Sequence, residues 1–184
     1  MKPTEQLKAE HEGIKLMLKI LDKACNKLKS TQEINQEHFT KMLEFLKIFI
    51  DKCHHGKEED LLFPAMEEAG IPKESGVIRY TLAEHQTGRG YIKGISEAFD
   101  KYKKGDHKAS PKIIENVKSY IGLLIPHIEK ENNMLFPKAD KVLSERKQEE
   151  LAEAFEKLEV ERIGLGKHEE FHKLLDQLKK IYLD

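Results

Sequence analysis

An internal repeat restricts the fold of this chain more than any other feature of its sequence. Residues 54–64 (HHGKEEDLLFP) and 127–137 (HIEKENNMLFP) align without gaps and share six of eleven residues. The triplet Ala-Glu-His precedes each copy, at residues 9–11 and 83–85, so both elements recur at an offset of 73 or 74 positions. Each half of the chain therefore has a histidine followed 42 or 43 residues later by His-x-x-x-Glu, which predicts two similar structural units.

The spacing of apolar residues indicates that both units are helical. Leucine, isoleucine, phenylalanine and methionine recur every three or four positions, with lysine and glutamate between them. Glycine, proline and serine clusters then predict helices over residues 4–29, 35–69, 74–104, 110–140, 145–163 and 167–182. The predicted fold is all-α: an up-down-up-down four-helix bundle over residues 1–142, with a C-terminal helical hairpin over 143–184 that we expect to pack on the bundle.

The repeat predicts that its histidines meet at one level of such a bundle. His11 and His54 each lie 19 residues from the turn between them, and His85 and His127 lie 20 and 17 residues from theirs. At about 1.5 Å per residue, all four fall at a similar depth, and each His-x-x-x-Glu adds a carboxylate on the same helix face. The predicted metal ligands are His11, His54, Glu58, His85, His127 and Glu131.

Four imidazoles and two carboxylates in a bundle interior indicate a dinuclear metal site. A single His-x-x-x-Glu occurs often on helix surfaces, but two matched copies with an upstream histidine at consistent depth do not. This donor set suits iron, manganese or zinc, and a carboxylate from each half can bridge two ions.

These six residues and the two Leu-Phe-Pro segments resemble the hemerythrin-like, or HHE cation-binding, domain over about residues 4–140. The resemblance implies a four-helix bundle with two non-heme iron ions, oxo- or hydroxo-bridged when oxidised. It also implies that the four histidines are terminal ligands and that Glu58 and Glu131 bridge the irons.

The chain departs from the oxygen-carrying hemerythrins at two positions. Arg89 stands four residues after His85, and Asn132 five residues after His127, where those carriers have a histidine and an aspartate. The pattern is closer to the iron-centre-repair (nitrosative-stress) branch and to stand-alone prokaryotic HHE proteins. Fewer protein ligands leave more open coordination positions, which favours reactivity over reversible oxygen carriage.

The leading hypothesis is a non-heme di-iron protein that binds or reacts with O2, NO or H2O2, in a stress response or in iron-centre repair. Whether it is an enzyme stays open. One alternative is a non-enzymatic sensor or iron-handling module, in which the metal state reshapes the C-terminal hairpin. Another is a purely structural bundle with a zinc ion or no metal.

Composition excludes several partner classes. A formal net charge of −1 without a long basic run argues against nucleic acid, and no apolar stretch approaches the roughly 18 residues of a membrane span. Two cysteines and an N-terminus without an apolar signal core predict a cytoplasmic protein. A small diatomic or peroxide ligand is the predicted partner, and no redox or protein partner can be named.

A His-Glu-x-x-His segment over residues 168–172 matches a zinc-protease pattern. We reject that function because few residues follow it and no sheet is predicted. Two interpretations stay open: a solvent-facing helix, or a helix folded over the bundle that brings His168 or His172 near the metals.

Five further residues have candidate roles at or near the site. His55 is expected to face a neighbouring helix or solvent. Tyr80 and Tyr120 are candidates for hydrogen bonds to ligands, with an ordinary core role as the alternative. Glu10 and Glu84 are expected to be charged neighbours on a mixed helix face, with proton transfer as the alternative.

Overall fold

The computed structural model describes residues 1–74 and 76–184, and this part of the chain contains six helices and no strand. They are Pro3–Thr31 (α1), residues 36–68 (α2), Val77–Lys103 (α3), residues 110–142 (α4), Glu145–Ile163 (α5) and Lys167–Tyr182 (α6). Side chains cap two of them: Asn35 accepts a hydrogen bond from the His38 backbone N–H, and Ser144 accepts one from Lys147. The predicted all-α fold is confirmed.

Two of the bundle helices change their winding beside the predicted ligands. In α2 the π-helical stretches Phe45–His55 and Glu58–Leu62 precede the α-helix Phe63–Glu68, and in α4 the π-helical stretch Glu131–Leu135 follows Ser110–Lys130 and precedes Phe136–Val142. Each Leu-Phe-Pro segment ends a π-helical stretch. Proline has no N–H and its ring crowds the carbonyl four residues earlier, so a wider preceding turn relieves the clash. Such π-helical turns are frequent at functional sites.

The apolar core consists of two clusters separated by a polar layer. On α1, Leu7 belongs to the smaller cluster and Ile14 to the larger, with His11 between them. On the other three bundle helices the remaining predicted ligands also lie where the two clusters meet, although Ile128 of the larger cluster follows His127 on α4. The predicted metal level is therefore a polar layer sealed above and below by apolar side chains.

The C-terminal hairpin contributes to both clusters. Leu151 and Phe155 of α5 join the smaller cluster, while Phe171 and Leu175 of α6 join the larger. These side chains are at most 5% exposed. The helices therefore pack on the bundle, and their separation as a second unit stays a prediction. In residues 1–74 and 76–184, none of the helices combines the length and apolar character that crossing a membrane requires.

Candidate metal centre

The structure brings the six predicted ligands together as two histidine pairs and two carboxylates. His11 and His54 form the first pair, with 3.0 Å between their Nε2 atoms. His85 and His127 form the second pair, with 3.2 Å between theirs. All four rings are at most 2% exposed. Each pair comes from one half of the repeat, as the depth argument predicts.

The two glutamates lie between the pairs, and each presents one oxygen to each pair. Glu58 Oε1 lies 3.7 Å from His54 Nε2, and its Oε2 lies 3.3 Å from His85 Nε2. Glu131 Oε2 lies 3.0 Å from His11 Nε2, and its Oε1 lies 3.0 Å from His127 Nε2. A carboxylate in this position can bridge two cations, one at each pair.

The four carboxylate oxygens are buried, and within the described residues none has a hydrogen-bond partner of acceptable geometry despite the nearby imidazoles. Burying a carboxylate costs several kcal/mol unless a donor or cation compensates, so such oxygens are rare. Two cations between the pairs would satisfy them together with the Nε2 atoms. The donor set therefore fits a dinuclear metal centre on chemical grounds.

A second layer of side chains fixes the orientation of all four rings. Each Nδ1 atom lies 2.7–2.9 Å from a side-chain oxygen: His11 from Asn132, His54 from Glu10, His85 from Glu59 and His127 from Glu84. Amide and carboxylate oxygens only accept hydrogen bonds, so each Nδ1 carries the proton. With a metal bound, each Nε2 would offer its lone pair to the ion, the arrangement that metal-binding histidines use.

This layer corrects the expectation for Glu10 and Glu84. They are not ordinary charged neighbours, because each faces the next helix and accepts a hydrogen bond from a site histidine. The partners also follow the repeat: Glu10 and Glu84 precede its first histidines, while Glu59 and Asn132 follow its glutamates. The Ala-Glu-His triplet was the signal for two of them.

Without a cation, protons balance the charges of the site. Burial by itself would raise the pKa of Glu131, but the neighbouring imidazoles, His127 foremost, hold it well below its ordinary value. Burial would lower the pKa of His85, but Glu131 and Glu58 raise it well above the usual range. The pKa values of His54 and His127 are raised against burial in the same way. Metal binding must therefore displace protons.

A buried lysine belongs to the second layer and was not predicted. Lys57 is completely buried, and its Nζ lies 2.5 Å from Glu10 Oε1 and 2.8 Å from Glu159 Oε2. Its repeat counterpart Lys130 contacts Glu84 but is 47% exposed. Lysine at the same position of both repeat copies was the available signal.

His55 lies in the site rather than towards solvent. Its ring is 4% exposed and stacks on His85, with 3.8 Å between ring centroids. His55, His85 and His127 present nitrogen atoms within 4.8 Å of one another. Burial, reinforced by the surrounding histidines, lowers the pKa of His55 well below its ordinary value. Its repeat counterpart is Ile128, so the repeat gave no signal for it.

Asn132 and Arg89, the two residues that differ from the oxygen-carrying hemerythrins, hold side chains of the site in position. Asn132 holds His11, as described. The Arg89 guanidinium donates to Asp51 Oδ1 at 2.7 Å and to Glu59 Oε1 at 2.8 Å, and Glu59 in turn holds His85. Neither position supplies an imidazole or carboxylate to the pairs.

The tyrosine candidates do not hydrogen-bond to the site. Tyr80 is 70% exposed, so that expectation is wrong. Tyr120 is completely buried, and its hydroxyl has no hydrogen-bond partner within the described residues. Its ring packs beside Gly88, where an added Cβ would lie 3.3 Å from it. Tyr120 is therefore a core residue.

Helix α6 packs on the bundle, but its histidines stay outside the pairs. The His168 ring stacks on Phe49 with 5.3 Å between centroids, and its Nδ1 lies 3.6 Å from Glu159 Oε1. His172 is exposed. His168 therefore approaches an outer carboxylate rather than the site histidines.

Comparison with known proteins gives the family. The Hemerythrin HHE cation binding domain matches residues 2–139. The uncharacterised proteins Mb2018 of Mycobacterium bovis and Rv1995 of Mycobacterium tuberculosis are each 26% identical to this chain over 160 residues. The matches cover 87% of this chain and 62% of each relative, so the chain spans less than two thirds of their length. No solved structure shows significant similarity. The family match includes both histidine pairs and both glutamates, and the chain belongs to the hemerythrin HHE cation-binding family.

Proposed function

We propose that this chain is a non-heme di-iron protein that binds or reacts with small oxidants or diatomic molecules: O2, NO or H2O2. One observation carries the proposal. Glu58 and Glu131 each present one oxygen to each histidine pair, and neither carboxylate has a hydrogen-bond partner of acceptable geometry in the described residues.

The donor set is compatible with iron, and it would leave room for a small ligand. Mixed imidazole and carboxylate donors in a helical bundle suit iron, which the family resemblance also implies. His11 and His54 would hold one ion, His85 and His127 the other, with Glu58 and Glu131 shared. These six residues would leave positions free for an external ligand. Bound iron would supply the redox chemistry.

The residues of the chain orient the ligands and restrict access. Hydrogen bonds at Nδ1 orient the four paired histidines, so that each Nε2 could bind a metal once its proton is displaced. The Phe136 ring stacks on His11 at 5.4 Å, and Phe63 lies 6.4 Å from His85. Apolar rings beside the pairs exclude bulk water and favour small, weakly polar ligands.

A sensor or iron-handling function is the second candidate, and one observation favours it. Glu159 of the C-terminal hairpin contacts Lys57, which contacts the Glu10 carboxylate that holds His54. A change at the metal centre would therefore reach the hairpin. A role in oxidative or nitrosative stress, or in iron-centre repair, belongs to the leading proposal of a di-iron protein that binds or reacts with small molecules, as does a place in the cytoplasm.

Rapid mixing of the iron-loaded, reduced protein with O2, NO and H2O2 in separate anaerobic experiments tests the function. We expect a spectral change with at least one of them, with repeated turnover for an enzyme and a single stoichiometric event for a sensor. Glu131→Ala should abolish stable binding of two ions. Glu129→Gln, an exposed change on α4, is the matched control and should bind iron as the wild type does. No response to any of the three molecules would contradict the proposal.

A further inference from the structure

Lys57 and Lys130, which we call the outer lysines, lie in different surroundings although they occupy the same position in the two copies of the repeat. Lys57 contacts Glu10, the partner of His54, and Lys130 contacts Glu84, the partner of His127. Lys130 is 47% exposed, whereas Lys57 is completely buried beneath the C-terminal hairpin. The first pair is therefore linked to α5 in a way that the second pair is not.

A continuous series of short polar contacts joins α5 to the first pair. Glu159 Oε2 lies 2.8 Å from Lys57 Nζ, Lys57 Nζ lies 2.5 Å from Glu10 Oε1, and Glu10 Oε2 lies 2.7 Å from His54 Nδ1. Phe155 of α5 covers the ammonium, with 5.9 Å from Nζ to its ring centroid. His168 of α6 contacts the other oxygen of Glu159.

The charge of Glu159 affects the hydrogen bond between Glu10 and His54. A buried ammonium is weakly screened, so its charge is divided between the two carboxylates that contact it. The Lys57 ammonium lies 2.5 Å from Glu10 and 2.8 Å from Glu159, so it is held between two carboxylates. If Glu159 were neutral, Lys57 would attract Glu10 more strongly. Glu10 would then be a weaker acceptor for the His54 Nδ1–H, and His54 a weaker donor to a metal.

This lysine also accounts for a cluster that resembles a third cation site. Glu10, Glu159 and His168 present ligand atoms within 4.8 Å of one another. The Lys57 ammonium lies within hydrogen-bonding distance of both carboxylates, so the cluster already has its cation.

We propose that Glu159 is a positioning residue of the metal centre. Through Lys57 and Glu10 it orients and polarises His54, so that the C-terminal hairpin sets how tightly the first pair holds its metal and leaves the second pair unaffected. This inference rests on the proposed dinuclear site. Changing the direct partner of a metal-binding histidine costs about 10- to 100-fold in affinity, and Glu159, two contacts further away, should fall at the lower end.

Release of ferrous iron to a coloured chelator, followed anaerobically, tests the inference. Wild type should release two ions in separable phases. Glu84→Gln neutralises the carboxylate that holds His127, so the phase that it accelerates belongs to the second pair. Glu159→Gln should accelerate only the other phase, by roughly 10-fold. Glu159→Asp should restore part of the wild-type rate, and the exposed control Glu156→Gln should leave both phases unchanged.

A readout without metal separates positioning from general loosening. In metal-free protein, the His54 Nδ1–H proton should exchange faster with solvent in Glu159→Gln than in wild type, while that of His127 should not change. Unchanged release and exchange in Glu159→Gln, or equal acceleration of both phases, would overturn this inference while leaving a two-iron wild type intact. A wild type that binds no iron would overturn both the inference and the proposed function.

Discussion

The first pair, His11 and His54, and the second pair, His85 and His127, are built by the same repeat but completed by different surroundings. Around the first pair the second layer contains an amide, Asn132, and a buried lysine covered by α5. Around the second pair it contains a carboxylate supported by Arg89, a half-exposed lysine and the stacked ring of His55. A repeat can thus duplicate a set of ligands, while residues outside the repeat or not shared by its two copies make the two pairs chemically different.

The largest difference between the two halves should appear in the free energy of unfolding when Lys57 or Lys130 is replaced. Lys57→Met leaves Glu10 and Glu159 without their cation in a buried position, which should cost about 3–5 kcal/mol of the free energy of unfolding. Lys130→Met removes a half-exposed ion pair and should cost about 0–1 kcal/mol. Urea denaturation of both metal-free variants, followed by far-UV circular dichroism, measures this. Equal losses would show that the two halves are equivalent.

Acid should reveal the same asymmetry at the glutamates. Burial by itself would raise the pKa of Glu10, but its contacts with His54 and Lys57 lower it to about 2. A depressed carboxyl pKa stabilises the fold above its ordinary value of 4.5, and that stabilisation is lost as the pH falls towards 2. The loss should reach about 3 kcal/mol for Glu10.

Urea denaturation of metal-free wild type and Glu10→Gln tests this expectation. It should be measured between about pH 6 and about pH 3, which includes the upper part of the pH range over which the stabilisation is lost. The variant should show a flatter dependence on pH than wild type. Glu84→Gln is the matched control, because Glu84 is less buried and should flatten the curve less. A steeper effect of Glu84 would reverse the comparison.

The smallest expected effect on stability concerns His55, whose ring stacks on the second pair and has no counterpart at the first. His55→Ile makes α2 match Ile128 of α4 and removes a buried Nδ1 that has no hydrogen-bond partner in the described residues. Stability should change by no more than about 1 kcal/mol, because an apolar replacement leaves no new unsatisfied group. In iron-loaded protein, the spectrum of the second pair alone should shift. A loss above that range would show that His55 has a structural partner.

Sequence reasoning predicted the helices and the six candidate ligands because both follow from local spacing. Apolar periodicity defines helix faces, and equal distances from a turn place His11 beside His54 without any tertiary information. The predicted 35–69 helix corresponds to α2 within a residue at each end. These features need only the geometry of one helix or one hairpin.

The second layer could not be derived in the same way. Whether Glu59 meets His85, or Lys57 meets Glu159, depends on the rotation and register of helices that are distant in sequence. His55 illustrates a further limit. It was expected to face a neighbouring helix or solvent, and only the packing of α2 against α3 decides between them by stacking it on His85. Tyr80 shows a different error, because it was a candidate for a hydrogen bond to a ligand, with a core role as the alternative, and it is exposed instead.

Iron stoichiometry tests the central claim most directly. Anaerobic titration of the metal-free protein with ferrous iron should reach saturation at two ions per chain, and controlled oxidation should then give a coupled pair without the electron paramagnetic resonance signal of isolated ferric ions. Saturation at one ion or none, or a full-intensity signal from isolated ferric iron, would contradict a dinuclear centre held by Glu58 and Glu131.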